Sequence, residues 1–136
     1  MKRRDFLICS STAVAMPMSA LAEAQEYIPG LVQIELAAGK TVFLDFTATW
    51  CSTCAAQERV INALKAENPA YEAAISFVDV DWDTYRNANL TRVLNIPRRS
   101  TLVVLKGNTE LGRIVAGTSR KQIKALMDLA LGAATS

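Results

Sequence analysis

Residues 42–54 read VFLDFTATWCSTC and decide the fold. The run over residues 41–46 is short, β-branched and aromatic, which predicts a buried central strand. After Cys51 the spacing of the apolar residues becomes helical and continues as far as Pro69, so a helix is expected to follow the strand. One face of this helix is expected to carry Ala56, Val60, Ala63 and Leu64. Cys51 and Cys54 are thereby placed at a junction between a strand and a helix.

Two cysteines separated by two residues can close a small disulfide ring when they lie in the first turn of a helix. The sulfur of Cys51 would face the unpaired backbone N–H groups and the positive end of the helix dipole. Both favour the thiolate and lower the pKa of Cys51. Cys54 lies one turn further in and is expected to be less exposed and less acidic. Cys51 is therefore the predicted nucleophile, which forms a mixed disulfide with a partner, and Cys54 is the predicted resolving residue.

A carboxylate interrupts the apolar strand that precedes the cysteines. Asp45 would be costly to bury there unless it is paired or protonated. Desolvation would raise its pKa and make it a suitable proton acceptor for Cys54 during resolution. The alternative is a carboxylate at the end of the strand that points to solvent.

The rest of the chain alternates between strand and helix patterns. Strands are predicted for residues 75–80, 101–105 and 111–115, the last two paired as a hairpin through Gly107-Asn108. Helices are predicted for residues 85–94 and from Ser119 onward, while residues 31–38 fit either a helix or a strand. The inward-facing residues expected for the two helices are Leu90, Val93 and Leu94, and Ile123, Leu126, Met127 and Leu131. This order predicts one α/β domain over residues 31–136, with a mixed sheet of four or five strands and helices on both faces.

The N-terminal segment has the three parts of a secretory signal. A basic start is followed by an apolar run to about Leu21 and by Ala20-Leu21-Ala22, small residues at the two positions that a signal peptidase reads. The pair Arg3-Arg4 ahead of two apolar residues resembles the twin-arginine type of signal. Residues 1–22 are therefore predicted to be a cleaved signal, residues 23–30 a polar lead-in, and the protein periplasmic. The alternative is an uncleaved membrane anchor.

Composition excludes several classes of function. The 136 residues contain no histidine, which removes His-dependent catalytic triads and His-ligated zinc sites. The chain has three cysteines, and Cys9 would leave with the signal, so Cys51 and Cys54 remain as one pair. Residues 1–22 carry three basic side chains against one acidic, which is the whole formal net charge of +2. The remaining domain is formally neutral, and nothing in its charge supports binding to nucleic acid.

The segment 42–54 resembles the active-site segment of the thioredoxin family. The likeness continues through residues 78–81, the strand and turn at 101–107, and Gly117 before the last helix. The resemblance implies a thioredoxin fold and a thiol–disulfide oxidoreductase without a bound cofactor. It implies the following roles: nucleophile for Cys51, resolving thiol for Cys54, buried carboxylate for Asp45, and the tryptophan that flanks the nucleophile for Trp50. We predict substrate contacts for Trp50, Arg99, Ser100 and Gly117. The sequence is also similar to the periplasmic thioredoxin-like domain of the transmembrane disulfide reductase.

This chain departs from the family before the strand at 101–105. The family usually has a cis-proline there, opposite the cysteines, whereas the ungapped position here is Ser100. Either Ser100 replaces the proline or Pro97 serves through a local rearrangement. A cis bond before a residue other than proline costs about 3–4 kcal/mol relative to trans, so a trans Arg99–Ser100 bond is expected. The same loop would bring Arg98 and Arg99 near Cys51, lowering its pKa and attracting acidic partners, unless they are simply solvated.

Two further departures bear on redox chemistry. The buried lysine that some thioredoxins pair with their aspartate is absent, and Phe77 occupies its place. The residues between the cysteines, Ser52 and Thr53, include no histidine, so Cys51 should be less acidic than in strong oxidants. This pattern favours a reductant or a mild oxidant.

The sequence leaves three functional hypotheses. The first is a monomeric enzyme that exchanges disulfides with cysteines of exported proteins, as a reductant supplied by a membrane electron donor. The second is a binding or escort module for one envelope client, with Arg98, Arg99 and Ser100 supplying specificity and the disulfide structural or auxiliary. The third is a passive domain with a permanent disulfide between Cys51 and Cys54. A zinc site is disfavoured because there is neither a second cysteine pair nor a histidine.

Overall fold

The computed structural model describes residues 24–136, so the predicted signal at 1–22 lies outside the described residues. The strands are β1 (Gln25–Glu26), β2 (Thr41–Thr47), β3 (Ile75–Asp81), β4 (Thr101–Lys106) and β5 (Thr109–Val115). The helices are α1 (Leu31–Ala37), α2 (Ser52–Glu67), α3 (Ala70–Ala74), α4 (Trp82–Tyr85), α5 (Asn89–Val93) and α6 (Arg120–Ala134). Within residues 24–136, no helix is both long and apolar enough to cross a bilayer.

The five strands form one mixed sheet in the order β1-β3-β2-β4-β5. Strands β1 and β2 both run parallel to β3, whereas β4 runs antiparallel to β2 and to β5. The predicted α/β fold with a mixed sheet is confirmed, and the sheet has five strands. The fifth is β1, which lies in the segment expected to be a lead-in, because Gln25 and Glu26 extend the sheet beside β3.

Strand β2 lies at the centre of the sheet and is covered on both faces. One face packs Val42, Leu44 and Phe46 into a cluster with residues of α1 and α5. The other face packs Phe43 against α2, α3 and α6. Residues 41–46 are all buried, as expected for a strand with helices on both sides of the sheet.

Several helices differ from their predicted form. Residues 31–38, which fitted two interpretations, are helical over Leu31–Ala37. The helix predicted over 85–94 is helical only at Tyr85, the last residue of α4, and over α5. The two helices are separate because Ala88 adopts an extended conformation between them. The predicted inward position of Val93 is therefore wrong, and its side chain is 67% exposed.

The buried face of α2 also differs from the predicted face. Ala63 is exposed, and Ala56 and Val60 are half-buried, whereas Leu64 is buried as expected. The buried residues are Cys54, Gln57, Ile61, Leu64 and Lys65. The polar side chains of Gln57 and Lys65 thus lie on the face of α2 towards the sheet. Gln57 donates to the carbonyl of Ser100, and Lys65 pairs with Glu72.

In α6 the predicted residues Ile123, Leu126 and Met127 are buried, and Ala130 is buried with them. The predicted Leu131 is partly buried and packs against the same cluster. Ser119 caps this helix by accepting a hydrogen bond from the backbone of Gln122. The stripe of α6 packs against β2 and β5 and fixes the position of the chain between β5 and α6, which approaches the cysteines.

Candidate active site

The end of β2 delivers Cys51 to the first turn of α2. Cys51 is the N-cap residue of that helix, with an extended backbone, and its Sγ accepts a hydrogen bond of 3.1 Å from the backbone N–H of Cys54. A sulfur here occupies the position that Ser, Thr or Asp usually holds at a helix N-terminus. The backbone N–H and the positive end of the helix dipole therefore both favour a thiolate at Cys51.

The two thiols are free and buried, and they converge on one hydroxyl. The Oγ of Ser100 lies 3.2 Å from the Sγ of Cys51 and 3.0 Å from the Sγ of Cys54. Ser100 is itself completely buried. The residue at the position of the family's cis-proline is thus in direct contact with both sulfurs.

The two sulfurs differ in acidity. Burial raises the pKa of Cys51, but hydrogen bonds from Cys54 and Ser100, together with Arg99, outweigh burial and lower this pKa to about 7. Burial raises the pKa of Cys54, the neighbouring Cys51 raises it further, and Ser100 opposes both effects. The asymmetry runs in the direction predicted from the positions of the two residues in the helix.

The backbone of Ser100 is held from several sides. Its N–H donates to the carbonyl of Phe46 over 2.7 Å, and its carbonyl accepts from the N–H of Ala116 over 2.8 Å. The same carbonyl accepts a bond of 3.0 Å from the Nε2 of Gln57. Residues 24–136 contain no cis peptide bond, so the Arg99–Ser100 bond is trans, as expected. Pro97 is exposed, and the contacts with the sulfurs belong to Ser100.

Gln57 and Gly117 form the support behind Ser100. The buried amide of Gln57 also donates to the carbonyl of Gly117 over 2.9 Å, so one side chain joins both loops. A Cβ at Gly117 would lie 2.9 Å from the Cγ2 of Ile114, which explains glycine there. Gly117 therefore holds the site together through its carbonyl; its predicted substrate contact stays a prediction. Sequence reasoning missed Gln57, although its helical position on the face of Cys54 and Leu64 was a usable signal.

The exposed Trp50 and the half-buried Arg99 form the rim of the site. The Trp50 ring is 58% exposed, and the guanidinium of Arg99 lies 4.5 Å from its centroid, a cation–π distance. The indole N–H donates to the Oδ2 of Asp83 over 2.8 Å, which fixes the ring. Arg98, expected beside Cys51 as well, instead donates from its Nε to the carbonyl of Arg99. Sequence reasoning did not find Asp83.

Asp45 is buried on the side of β2 that faces α2. Its Oδ1 has no hydrogen-bond partner, so the alternative of a solvent-facing carboxylate is wrong. Burial raises the pKa of Asp45 well above its ordinary value, and the nearby carboxylates of Asp79 and Glu58 raise it further. The hydrogen bonds within residues 24–136 include none between Asp45 and either sulfur. Its predicted role as proton acceptor for Cys54 therefore has no direct contact in this structure.

A cavity of about 520 Å³ opens beside Asp45, with Asp79, Glu58 and Lys65 in its lining. Asp79 pairs with Asp45 in the register of β2 and β3, and burial raises the pKa of Asp79 to about 6. The carboxyl pair is thus surrounded by groups that favour its protonated form, with one opposing cation.

That cation corrects the expectation of no buried lysine. Phe77 does occupy the position on β3, but Lys65 enters from α2, with its Nζ 4.0 Å from the centroid of the Phe77 ring. The ammonium lies 3.6 Å from Glu72 and lowers the pKa of both Asp45 and Asp79. In the described part of the chain, no three His, Cys, Asp or Glu side chains are arranged to hold a metal ion.

Comparisons with known proteins agree with this site. The family model described as Thioredoxin matches residues 31–129. Thioredoxin H2-1 of Oryza sativa subsp. japonica is 29% identical over 90 residues, which are 66% of this chain and 61% of the rice protein. Thioredoxin-1 of Drosophila melanogaster is 30% identical over 89 residues, 65% of this chain and 78% of the fly protein. The chain thus spans about three fifths of the length of the rice relative.

Solved structures give the same result. Trxlp from Edwardsiella tarda EIB202 superposes with a TM-score of 0.65 at 29% identity, covering 79% of this chain and 98% of that one. Thioredoxin from Malassezia sympodialis has a TM-score of 0.62 at 22% identity, covering 83% of this chain and 98% of that one, and shows the shared fold alone. The strand–helix junction with its paired thiols defines a thioredoxin-type redox site. The chain belongs to the thioredoxin family.

The unpartnered carboxyl of Asp45 predicts a pH-dependent stability. Because the pKa of Asp45 is raised on folding, the free energy of unfolding falls as pH rises from the unfolded value of about 4 through the folded pKa. Asp45→Asn removes this loss. We expect the variant to melt about 5 °C or more above the wild type at pH 8, with little difference below about pH 4. Circular dichroism melts at the two pH values measure this.

Glu67→Gln is the matched control, because that carboxylate is exposed and makes a surface ion pair with Arg120. Its melting temperature should change little at either pH. A variant at Asp45 that melts below the wild type at pH 8 would contradict the expected sign.

Proposed function

We propose that this protein is an exported thiol–disulfide oxidoreductase that reduces disulfides of other exported proteins through Cys51 and Cys54. The observation that carries the proposal is the convergence of two free, buried thiols at the N-terminus of α2, one with a pKa lowered to about 7 and the other with a raised pKa. This pairing supplies an ionised nucleophile together with a protonated reserve thiol.

The reaction follows from the geometry in two exchanges. The Cys51 thiolate attacks one sulfur of the substrate disulfide, forms a mixed disulfide and releases the first substrate thiolate, which takes a proton from water. Cys54 then attacks the Sγ of Cys51, and the second substrate thiol leaves with the proton that Cys54 loses. The dithiol is oxidised by two electrons and the substrate disulfide is reduced by two.

The rim and the pKa of Cys51 support the direction and the partners. An exposed indole beside the nucleophile offers a partner a flat apolar contact. A strongly acidic thiol stabilises the reduced protein, and such a protein oxidises its partners. A pKa of about 7 at Cys51 stabilises the reduced protein less, so the protein gives up its electrons more readily. We infer a reductant that receives electrons from a membrane donor.

Single-cysteine variants test the activity. Cys51→Ser should abolish reduction of insulin disulfides, because it removes the attacking sulfur. Cys54→Ser should retain the first exchange and accumulate mixed disulfides, which non-reducing gels and mass spectrometry detect. Ser52→Ala, which replaces an exposed residue between the cysteines, is the control and should stay active. Full activity of Cys51→Ser would refute the proposal, and client binding that survives loss of both sulfurs would favour the escort module.

The equilibrium potential of the Cys51–Cys54 couple tests the direction. We expect a value below about −250 mV, in the range of family reductants, when the protein is equilibrated with glutathione or with dithiothreitol buffers. A value above about −150 mV identifies an oxidant and overturns the reductant assignment. Glu67→Gln, which changes an exposed carboxylate paired with Arg120, is the control and should keep the wild-type potential.

Export is proposed from the sequence of residues 1–22. In a Gram-negative host, the wild-type chain should appear in the periplasmic fraction with an N-terminus that follows Ala22. Arg3→Lys combined with Arg4→Lys should retain the precursor in the cytoplasm, because a twin-arginine receptor reads both guanidinium groups. Lys2→Arg keeps the charge and should be exported normally. Export of the double variant at the wild-type level contradicts the twin-arginine assignment, and an unprocessed membrane-bound chain contradicts cleavage.

A further inference from the structure

One hydroxyl lies within hydrogen-bond distance of both redox sulfurs. The Oγ of Ser100 is 3.2 Å from Cys51 and 3.0 Å from Cys54, in a completely buried position. A hydroxyl has a single proton to donate, so at any moment it donates to one sulfur and accepts from, or merely contacts, the other. The two sulfurs of this site therefore share one donor.

We propose that Ser100 is a catalytic residue whose hydroxyl donates first to the Cys51 thiolate and then, once Cys51 is in the mixed disulfide, to the Cys54 thiolate. The inference rests on the proposed function and names a residue that serves both of its steps. In the resting dithiol, the hydroxyl donates to Cys51 and the thiol of Cys54 keeps its proton. When Cys51 becomes a neutral disulfide sulfur, the hydroxyl rotates to Cys54.

When the hydroxyl changes its acceptor, the bonds and protons of the exchange reaction still balance. In the second step the bond between the two enzyme sulfurs forms and the bond between Cys51 and the partner sulfur breaks. The proton of Cys54 ends on the departing partner thiol, and Ser100 keeps its own proton throughout. Its contribution is to stabilise the charge that is present on Cys51 before the first step and that develops on Cys54 during the second.

Ser100 differs from the other groups near the sulfurs because it acts on both of them. Arg99 lowers the pKa of Cys51, while Thr47 and the backbone at Ala48 lower that of Cys54. Outside the cysteine pair, Ser100 is the side chain that lowers the pKa of both Cys51 and Cys54. Asp45, the nearby buried carboxyl, makes no hydrogen bond with either sulfur among residues 24–136 and cannot take this part directly.

The loop geometry prepares the hydroxyl for this position. The backbone of Ser100 has a positive φ of 64° and is fixed by bonds with Phe46, Ala116 and Gln57. With the backbone held, the remaining freedom is rotation of the side chain and of the O–H bond. Because the oxygen is already within reach of both sulfurs, only this rotation is needed when the charge moves from one sulfur to the other.

The test measures each sulfur separately in the protein alone. The thiolate of Cys51 is titrated by its ultraviolet absorbance in a Cys54→Ala background, and that of Cys54 in a Cys51→Ala background. Ser100→Ala should raise both pKa values by about one unit, because a hydrogen bond to a charged group is lost in each case. In the chain with both cysteines, resolution of a preformed mixed disulfide should slow about threefold, since a less ionised but more nucleophilic thiol attacks.

Two further variants separate chemistry from structure. Ser100→Gly also lacks the hydroxyl but suits the positive φ, so it decides the question if the alanine variant folds poorly. Thr101→Val removes a neighbouring buried hydroxyl that donates to the carbonyl of Arg98 and touches neither sulfur. Its two pKa values should equal those of the wild type.

The outcomes are distinct. A rise at both sulfurs with Thr101→Val unchanged supports the proposal. A rise at Cys51 alone, at Cys54 alone or at neither overturns it, and equal shifts in Thr101→Val reduce Ser100 to a structural role. Because the titrations need no substrate, a wild type that fails to reduce insulin refutes the proposed function without altering the titration result.

Discussion

A hydrogen bond from a helix to its own capping sulfur is the constraint on which this site depends. The N–H of Cys54 donates to the Sγ of Cys51, so the nucleophile fills the place of an N-cap oxygen. An N–H at this position has no partner within the helix and would otherwise be bonded to water or left unsatisfied. Ionising Cys51 therefore strengthens a bond that the helix needs, and the acidity of the sulfur is linked to the integrity of the first turn of α2.

A second electrostatic group lies behind the sulfurs and has the opposite character. Asp45 and Asp79 are neighbours in the parallel register of β2 and β3, and both have raised pKa values because burial disfavours their charge. Lys65 enters from α2 and partly offsets this effect. The cavity beside them gives solvent a route to this pair. The sheet face under α2 is thus a set of coupled titratable groups and not a purely apolar core.

The strands, the order of elements and the paired thiols were predictable because their signals are local. A β-branched run between turn residues, or two cysteines at a strand–helix junction, can be read without knowing what packs against them. Val93 and Ala63 were misplaced because a helical pattern does not show which apolar residues find a partner. The sequence did not indicate Gln57 and Asp83 as site residues, since their roles depend on loops brought close only by the fold. Ser100 was identified from its place in the family pattern, but its contact with both sulfurs is visible only in the folded structure.

Several places where local rules are broken lie beside the two sulfurs. Ser100 and Ala116 both adopt a positive φ, which is uncommon for residues other than glycine, and they are joined by a hydrogen bond between their backbones. Asp45 is buried with an unpartnered oxygen in the central strand. Each of these features lowers stability, and each persists because β2, β4 and β5 form a continuous ladder that fixes the ends of the chain around it. The sheet supplies the stability. The first turn of α2 and the loop before β4 then hold the two sulfurs and the hydroxyl of Ser100 close together.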